Sequence, residues 1–233
     1  MSYLEIKNYT NKILKDITIT LSQDRNLIIL GSNGIGKTTL AKILCGIIPT
    51  NNVFINGIIP SKTFGKQRTK EINYIPPKLE IFDEFITVKE FLELGYFNND
   101  ITINQALDIL QISHLQNQPC QNLSSGESQL LLIASGLLHN ANYTIFDEPT
   151  SNLDPQKIEI LFKIFKDNTL LKSKIIITHN LDLAYKLGFD VIFLDNKHIS
   201  FYGSSSNFFE NEHLDKIYQG SIQKIQGNIV IKL

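Results

Sequence analysis

The chain has 233 residues, of which 42% are hydrophobic and 19% are charged, which predicts a folded domain rather than a disordered chain. Its formal net charge is −1 and it has no run of Lys or Arg, so no nucleic-acid partner is expected. Its two cysteines form no CxxC pair, which suits a reducing cytosol. The longest apolar window, Leu130 to Leu138, is about half of the roughly 20 residues that a membrane span needs, so a soluble protein is expected, and any membrane role would come through a partner.

The N-terminal third predicts short strands around a glycine-rich turn. Alternating apolar residues or short apolar runs predict strands at Leu4–Ile6, Ile17–Leu21, Leu27–Leu30, Val53–Ile55 and Glu71–Ile75. The fourth strand ends at an Asn56-Gly57 turn, and Pro76-Pro77 stops the fifth. Thr38–Leu44, after the glycine-rich turn, is in helical register.

Between Lys78 and Gln121 the pattern becomes helical. Two helices are predicted, each with its apolar residues on one face. The first set is Val88, Phe91 and Leu92, and the second is Ile103, Ala106, Leu107 and Leu110. The Thr102 hydroxyl is predicted to cap the second helix. This stretch is interpreted as a small helical insert.

Strands and helices alternate again after the insert. Strands are predicted at Tyr143–Phe146, Ile175–Thr178, Val191–Leu194 and Ile229–Ile231, and helices at Ser128–Leu138, Pro155–Phe165 and Leu181–Leu187. Such alternation predicts an α/β protein with a largely parallel sheet. Its ligand should lie beyond the carboxyl ends of the strands.

The glycine-rich turn, Gly31 to Thr38, matches the phosphate-binding pattern G-x-x-x-x-G-K-[ST] in full. An apolar strand precedes it and a helix follows it, as this P-loop requires. Glycines let backbone N–H groups turn toward phosphates, and the helix dipole adds positive potential. Lys37 would reach the β- and γ-phosphates, and the Thr38 hydroxyl would ligate Mg²⁺.

Asp147 and Glu148 directly follow the predicted strand Tyr143–Phe146. An aspartate at a strand's carboxyl end in a P-loop protein is placed to hold Mg²⁺ through water. The adjacent Glu148 could deprotonate the attacking water. An acidic pair after a strand is usually a solvated turn, but the P-loop favours the functional interpretation.

Three further segments make the pattern specific. Leu123-Ser124-Ser125-Gly126-Glu127, which ends 20 residues before Asp147, resembles the LSGGQ signature of ABC ATPases. Asp147 to Asp154 is similar to the family's Walker B motif and D-loop, and His179 follows Ile175–Thr178 where the family has its switch histidine. A P-loop kinase or GTPase would leave the signature and D-loop unexplained.

The resemblance spans about residues 3 to 205 and implies a single ABC ATPase domain over residues 1–233. The implied fold is a P-loop NTPase with a mostly parallel central sheet, an antiparallel β subdomain and a small helical insert. Its P-loop core would occupy about 1–76 and 122–205, the insert about 78–121, and a C-terminal extension about 206–233.

The resemblance also implies an ATPase that uses ATP and Mg²⁺. Lys37, Glu148 and His179 would be catalytic, and Thr38 and Asp147 would hold the metal. The implied nucleotide-binding residues are Gly31, Ser32, Asn33, Gly34, Ile35, Gly36, Lys37, Thr38, Thr39 and, by adenine stacking, Tyr9, with Tyr3 as a rival for that role.

Two cassettes of this family pack head to tail around two ATP molecules, so a second copy of the chain is an implied partner. Ser124, Ser125, Gly126 and Glu127 would face the partner's ATP at a helix N-terminus, and Asp154 would link the two sites.

Integral membrane permease subunits are the other implied partners, with the chain cytoplasmic and peripheral on the inner face of the cell membrane. Their docking helix would contact Pro76 to Tyr96. Phe82, Phe85 and Phe91 are candidate contacts, and each could equally belong to the core of the insert. Import is favoured over export for two reasons. Exporter cassettes are often fused to their membrane domain, and this one is not. The segment Ile86–Tyr96 is also similar to the same segment in cassettes of iron-chelate and cobalamin importers. A non-transport ABC ATPase, for example in iron–sulfur assembly, is the alternative.

Three positions depart from the family pattern. Pro77 stands where the family has a glutamine that contacts Mg²⁺ and couples to the membrane partner, and no glutamine occurs between Gln67 and Gln105. Ser125 replaces a signature glycine, and Glu127 replaces a glutamine and adds negative charge near an anion. The last two changes would weaken closure of the sandwich.

Pro77 cannot supply a side-chain oxygen, so we predict slower or differently gated hydrolysis than in cassettes with the glutamine. Pro77→Gln should therefore raise ATP turnover or its coupling to the membrane partner, measured as phosphate release with and without that partner. Unchanged turnover and unchanged coupling would show that this departure has no consequence.

Overall fold

The computed structural model describes residues 3–96, 101–167 and 169–232. The chain divides into two compact units. Unit 1 comprises Met1–Thr63 and Ile175–Leu233, and unit 2 comprises Phe64–Lys174.

Unit 1 begins with the strands and the helix that surround the glycine-rich turn. They are β1 (Tyr3–Tyr9), β2 (Ile17–Ser22), β3 (Leu27–Gly31), α1 (Lys37–Leu44) and β4 (Val53–Ile55). β1 pairs antiparallel with both β2 and β4, which forms the predicted antiparallel subdomain. β2 buries every second residue, whereas the apolar run in β3 is buried throughout until Gly31.

Unit 2 contains α2 (Lys66–Glu71), β5 (Ile72–Ile75), α3 (Val88–Leu94), α4 (Ile103–Ile109), α5 (Ser125–His139), β6 (Tyr143–Asp147) and α6 (Pro155–Lys166). β5 and β6 are parallel neighbours. The predicted Thr102 cap is confirmed, because its hydroxyl accepts a hydrogen bond from the Gln105 N–H and the Gln105 side chain accepts one in return. Thr87 forms the same reciprocal cap on α3, and both helices contact α5.

The chain continues through β7 (Ser173–Ile177), α7 (Leu181–Leu187), β8 (Asp190–Asp195), β9 (His198–Gly203), α8 (Ser205–Phe208), α9 (Asn211–Tyr218), β10 (Ile222–Ile225) and β11 (Asn228–Ile231). In unit 1, β3 lies between β7 and β8 and is parallel to both, and β9 is antiparallel to β8. Ile29 lies opposite Ile177, so the carboxyl ends of β3 and β7 meet at one edge.

The C-terminal residues of unit 1 are fastened to α7. The Ile229 N–H donates to Asp182 Oδ1 at 2.9 Å, and the Lys224 ammonium lies 4.4 Å from the centre of the Tyr185 ring. The predicted strand Ile229–Ile231 is thus the second strand of a hairpin, β10–β11, that was not predicted. β11 of the extension thus packs on α7, the helix that follows His179.

Two element boundaries differ from the sequence prediction. Glu71 ends α2, a polar helix that has no apolar face, so β5 begins one residue later at Ile72. α5 begins at Ser125 rather than Ser128, because Ser124 caps it. The predicted insert, 78–121, lies wholly within unit 2. The predicted division into core, insert and extension stays a prediction.

Candidate nucleotide site

The P-loop connects β3 to α1 in unit 1, as the motif predicts. Gly31, Gly34 and Gly36 all have positive φ, at 148°, 77° and 115°. A Cβ on Gly31 would lie 2.7 Å from the carbonyl oxygen of Leu194, and one on Gly36 would lie 2.9 Å from the Ile13 and Leu14 side chains. Glycine is therefore required at both ends of the loop by space as well as by backbone conformation.

Lys37 opens α1 and turns its amine back over the loop. Its Nζ donates to the carbonyl oxygens of Gly31 at 2.8 Å and Ser32 at 3.1 Å. The first turn of α1 carries no acidic residue, so no side chain of that turn competes with an anion for the N-terminal partial charge. Ser32, Asn33 and Gly34 are exposed, Ile35, Thr38 and Thr39 are half-buried, and all of them surround this helix N-terminus.

His179 lies beside the start of the P-loop. It lines a cavity of about 480 Å³ together with Gly31, Ser32 and Asn33. The loop that carries it is held on both sides, since Thr178 Oγ1 accepts from the Asn180 N–H and Asn180 Oδ1 accepts from the Leu183 N–H. Two of the sequence-predicted motifs, 148 residues apart in the chain, thus share one cavity of unit 1.

Asp147 ends β6 in unit 2 and is only 1% exposed. Its Oδ2 accepts a hydrogen bond from the Tyr74 hydroxyl at 2.9 Å. Its Oδ1 is buried and has no hydrogen-bond partner among the residues that the structure describes. A buried carboxylate oxygen without a donor is costly, so a metal-bound water would fit this atom. The Thr38 hydroxyl and this carboxylate are oxygen donors of the kind that Mg²⁺ prefers.

Glu148 follows in a strained backbone conformation. Its φ is 51°, a left-handed value that costs a non-glycine residue about 1–3 kcal/mol. Its carbonyl oxygen accepts from the Ser151 N–H at 3.1 Å and from the Ser151 hydroxyl at 2.8 Å. Glu148 is half-buried in this turn.

The predicted signature forms the N-terminus of α5. The Ser124 hydroxyl donates to Glu127 Oε2 at 2.7 Å and accepts from the Glu127 N–H at 3.3 Å. The Ser124 N–H also donates to Glu127 Oε2, at 2.8 Å. The bond from the Ser124 hydroxyl, and after it the bond from the Ser124 N–H, lower the pKa of Glu127. The negative charge expected at Glu127 is therefore present, and it caps its own helix.

Gly126 brings the signature against the D-loop within unit 2. A Cβ at Gly126 would lie 3.1 Å from the carbonyl oxygen of Asn152 and 3.6 Å from Lys157 Nζ. Asp154 caps α6, since its Oδ1 accepts from the Lys157 N–H at 3.0 Å, and this bond is the main cause of its lowered pKa. Ser124, Ser125 and Asp154 are exposed, so all three are accessible to a second molecule.

Tyr9 and Pro77 differ most from what a nucleotide contact needs. Tyr9 is 8% exposed, so stacking on adenine would require the residues that cover its ring to move, whereas Tyr3 is 41% exposed. The adenine role of Tyr9 stays a prediction. Pro77 lies exposed just beyond β5 and offers no side-chain oxygen.

One member of the site was missed in the sequence, Tyr74. It lies on β5, where it is the register partner of Ile145 on β6. Its hydroxyl reaches Asp147, a residue 73 positions away in the chain. Only the pairing of these two strands reveals the contact, so no local pattern could have indicated it.

Comparison with known proteins decides the family. Residues 14–151, more than half of the chain, match the family model described as ABC transporter. This chain belongs to the ABC transporter family. It is an ATP-binding cassette with ATPase activity, as the P-loop, signature and D-loop predicted.

Relatives and solved structures agree with this assignment. The chain is 33% identical to the zinc import ATP-binding protein ZnuC of Buchnera aphidicola subsp. Baizongia pistaciae, over 93% of this chain and 88% of that protein. It shares its fold with cbiO1 of Clostridium perfringens, part of the ABC transporter complex cbiONQ (TM-score 0.73, 21% identity, 94% of this chain and 95% of that one). It also shares it with a dimeric ATP-binding cassette bound to ADP and Pi (TM-score 0.74, 19% identity, 87% and 98%).

We expect Lys37→Ala to weaken ATP binding by about 10- to 100-fold, because a charge-assisted hydrogen bond to phosphate contributes about 1.5–3 kcal/mol. The measurement is a titration of the purified protein with a fluorescent ATP analogue. Lys42→Ala is the matched control, since Lys42 lies in the last turn of the same helix. Equal affinities of the two variants would contradict the assignment of Lys37 to the phosphates.

Proposed function

We propose that this chain is the ATP-hydrolysing motor subunit of a membrane importer and that it acts as a pair of cassettes on integral membrane permease subunits. The observation that carries the proposal is the shared cavity of His179 and the first P-loop residues in unit 1. A histidine there can contact the γ-phosphate that the P-loop holds, which is what a hydrolysis switch requires.

In this proposal different residues bind the phosphates, accept the proton and hold the metal. The amine of Lys37 and the N–H groups of the P-loop bind the phosphates and offset their charge. Glu148 accepts a proton from the attacking water, whose oxygen forms the new bond to the γ-phosphorus as the bond to ADP breaks. Thr38 and Asp147 would hold Mg²⁺, which when bound would offset negative charge on the phosphates.

The partner cassette would complete each site. Ser124, Ser125 and Gly126 lie at the N-terminus of the long helix α5, where backbone N–H groups favour an anion. In this proposal they face the ATP of a second copy, and Asp154 joins the two sites. Because the carboxylate of Glu127 accepts from Ser124, its charge lowers the positive potential of this N-terminus and makes closure weaker than in cassettes with glutamine.

The membrane partner is suggested by exposed apolar side chains in unit 2. Phe82 is 93% exposed, Phe85 is 84% exposed and Leu94 is 73% exposed. Phe91, the third phenylalanine expected at this surface, is half-buried. Large apolar side chains exposed close together in sequence are typical of a protein contact. We propose that a cytoplasmic helix of the permease covers them.

In the described part of the chain, no helix has the length and apolarity to cross a bilayer. We propose that the protein works on the inner face of the cell membrane, bound to its permease. Import is favoured by the zinc import role named for the Buchnera relative. The cargo would not touch this subunit.

A non-transport ABC ATPase is the second candidate, and Pro77 is the observation that favours it. The glutamine of the family couples the cassette to a membrane partner, and an assembly without such a partner would not need it. The two candidates differ in what binds the ATP-loaded dimer.

The proposal is tested by isolating the partners of Glu148→Gln, which should bind ATP without turning it over. The variant is incubated with ATP and Mg²⁺ in detergent-solubilised membranes of its own host, then purified, and the proteins that accompany it are identified by mass spectrometry. We expect a protein with several membrane spans to co-purify with it.

Two controls sharpen this test. Glu148→Gln combined with Lys37→Ala, which should not bind ATP, shows which partners depend on the nucleotide. Phe85→Asp should remove the membrane protein and keep ATP binding, because it places a charge on the apolar surface. Recovery of soluble partners alone would contradict the importer and support the second candidate.

A further inference from the structure

We infer that Tyr74 is a positioning residue for Asp147 that fixes which carboxylate oxygen faces the hydration shell of Mg²⁺. This inference rests on the proposed metal role of Asp147. It assigns a function to a tyrosine that belongs to none of the ATP-binding motifs.

The geometry follows from the pairing of two strands. Tyr74 on β5 lies opposite Ile145 on β6 in a parallel ladder. Side chains two residues apart on a strand point to the same face, so Asp147 lies on the face of Ile145, one repeat along. The phenol of Tyr74 bridges this step and donates to Asp147 Oδ2 at 2.9 Å.

The two oxygens of Asp147 differ because of this contact. Oδ2 accepts the phenol O–H, whereas Oδ1 is buried without a partner among the described residues. The χ2 torsion of an aspartate has no narrow rotamer minima, so packing alone fixes the plane of the carboxylate only weakly. A single donor on one oxygen therefore selects one orientation and keeps Oδ1 available for a metal-bound water.

A phenol is well suited to this task. It carries no charge at neutral pH, so it orients the carboxylate without neutralising the negative charge that attracts Mg²⁺. An Arg or Lys in its place would compete with the metal for the same charge. The hydrogen bond between a neutral donor and a buried carboxylate is also stronger than one between two neutral groups.

Pro77 makes the orientation of Asp147 more important in this chain. Three residues beyond Tyr74, it supplies no oxygen at the position where the family has its metal-contacting glutamine. Asp147 then carries a larger share of the protein's contact with the metal, so a misoriented carboxylate has a larger effect.

The test compares ATP binding with and without Mg²⁺ in Tyr74→Phe, which keeps the ring and removes only the hydroxyl. The affinity for a fluorescent ATP analogue is titrated in excess Mg²⁺ and in EDTA, and the Mg²⁺ concentration at half-effect is measured at fixed nucleotide. Mg²⁺ should raise the ATP affinity about tenfold less in Tyr74→Phe than in the wild-type protein. In EDTA the two proteins should bind ATP with the same affinity.

Tyr202→Phe is the matched control. The Tyr202 hydroxyl donates to the carbonyl oxygen of Thr20 at 2.6 Å, away from all the motifs, so its loss also removes one phenol hydrogen bond. This control should behave as the wild-type protein does in both solutions. Since each affinity ratio is measured on folded protein, a smaller folded fraction would lower the signal and not the ratio.

The outcomes separate the inference from the function on which it rests. Equal losses in Mg²⁺ and in EDTA would mean that Tyr74 only supports the strand pair, and the inference would be wrong. If Mg²⁺ raises the ATP affinity of the wild-type protein and of Tyr74→Phe by the same factor, the role of Tyr74 alone would be overturned. A wild type whose ATP affinity does not depend on Mg²⁺ would overturn the metal role of Asp147 as well.

Discussion

The absence of side-chain space at Gly31 and Gly36 is the constraint on which the nucleotide site depends. At Gly31 the neighbouring strand β8 comes within 2.7 Å of where a Cβ would be, and at Gly36 the side chains of Ile13 and Leu14 come within 2.9 Å. This close packing fixes where α1 begins, and α1 in turn sets the direction of Lys37 and Thr38. Any other residue at either glycine would displace the loop from its neighbours.

Unit 2 contains two features that are unfavourable for the stability of the fold. Asp147 is a nearly fully buried carboxylate at the end of an entirely buried strand, and Glu148 adopts a left-handed backbone conformation. Both features are unfavourable in isolation. The hydrogen bonds from Tyr74 to Asp147 and from Ser151 to Glu148 offset part of this cost. Strained backbone conformations such as that of Glu148 cluster at active sites and at sites that hold a ligand.

The sequence predicted the features that depend on neighbouring residues. The strand–turn–helix conformation of the P-loop, the Thr102 cap and the Asn56-Gly57 turn each follow from a few consecutive side chains, and the structure confirms these three local conformations. The position of His179 was available only through the family resemblance, since it lines the same cavity as the P-loop only because β7 lies beside β3.

The features that were missed depend on contacts distant in sequence or on weak patterns. Tyr74 meets Asp147 through the register of two strands. Helix α2 is polar and shows no apolar period, so its residues were partly assigned to a strand. The hairpin β10–β11 turns at Gln226 and Gly227, both at positive φ, but Gln-Gly is a weaker turn signal than Asn-Gly. The burial of Tyr9 depends on the packing of its whole sheet.

The central claim is that ATP closes two copies of this chain around their P-loops and signatures, and sedimentation of Glu148→Gln tests it most directly. The account predicts a 26.5 kDa species without nucleotide and a dimer with ATP and Mg²⁺. It also predicts that Ser125→Arg, which places a bulky side chain at the exposed start of α5, prevents this dimer while ATP still binds. A chain that binds ATP and remains a monomer, or a dimer that tolerates Ser125→Arg, would contradict the account.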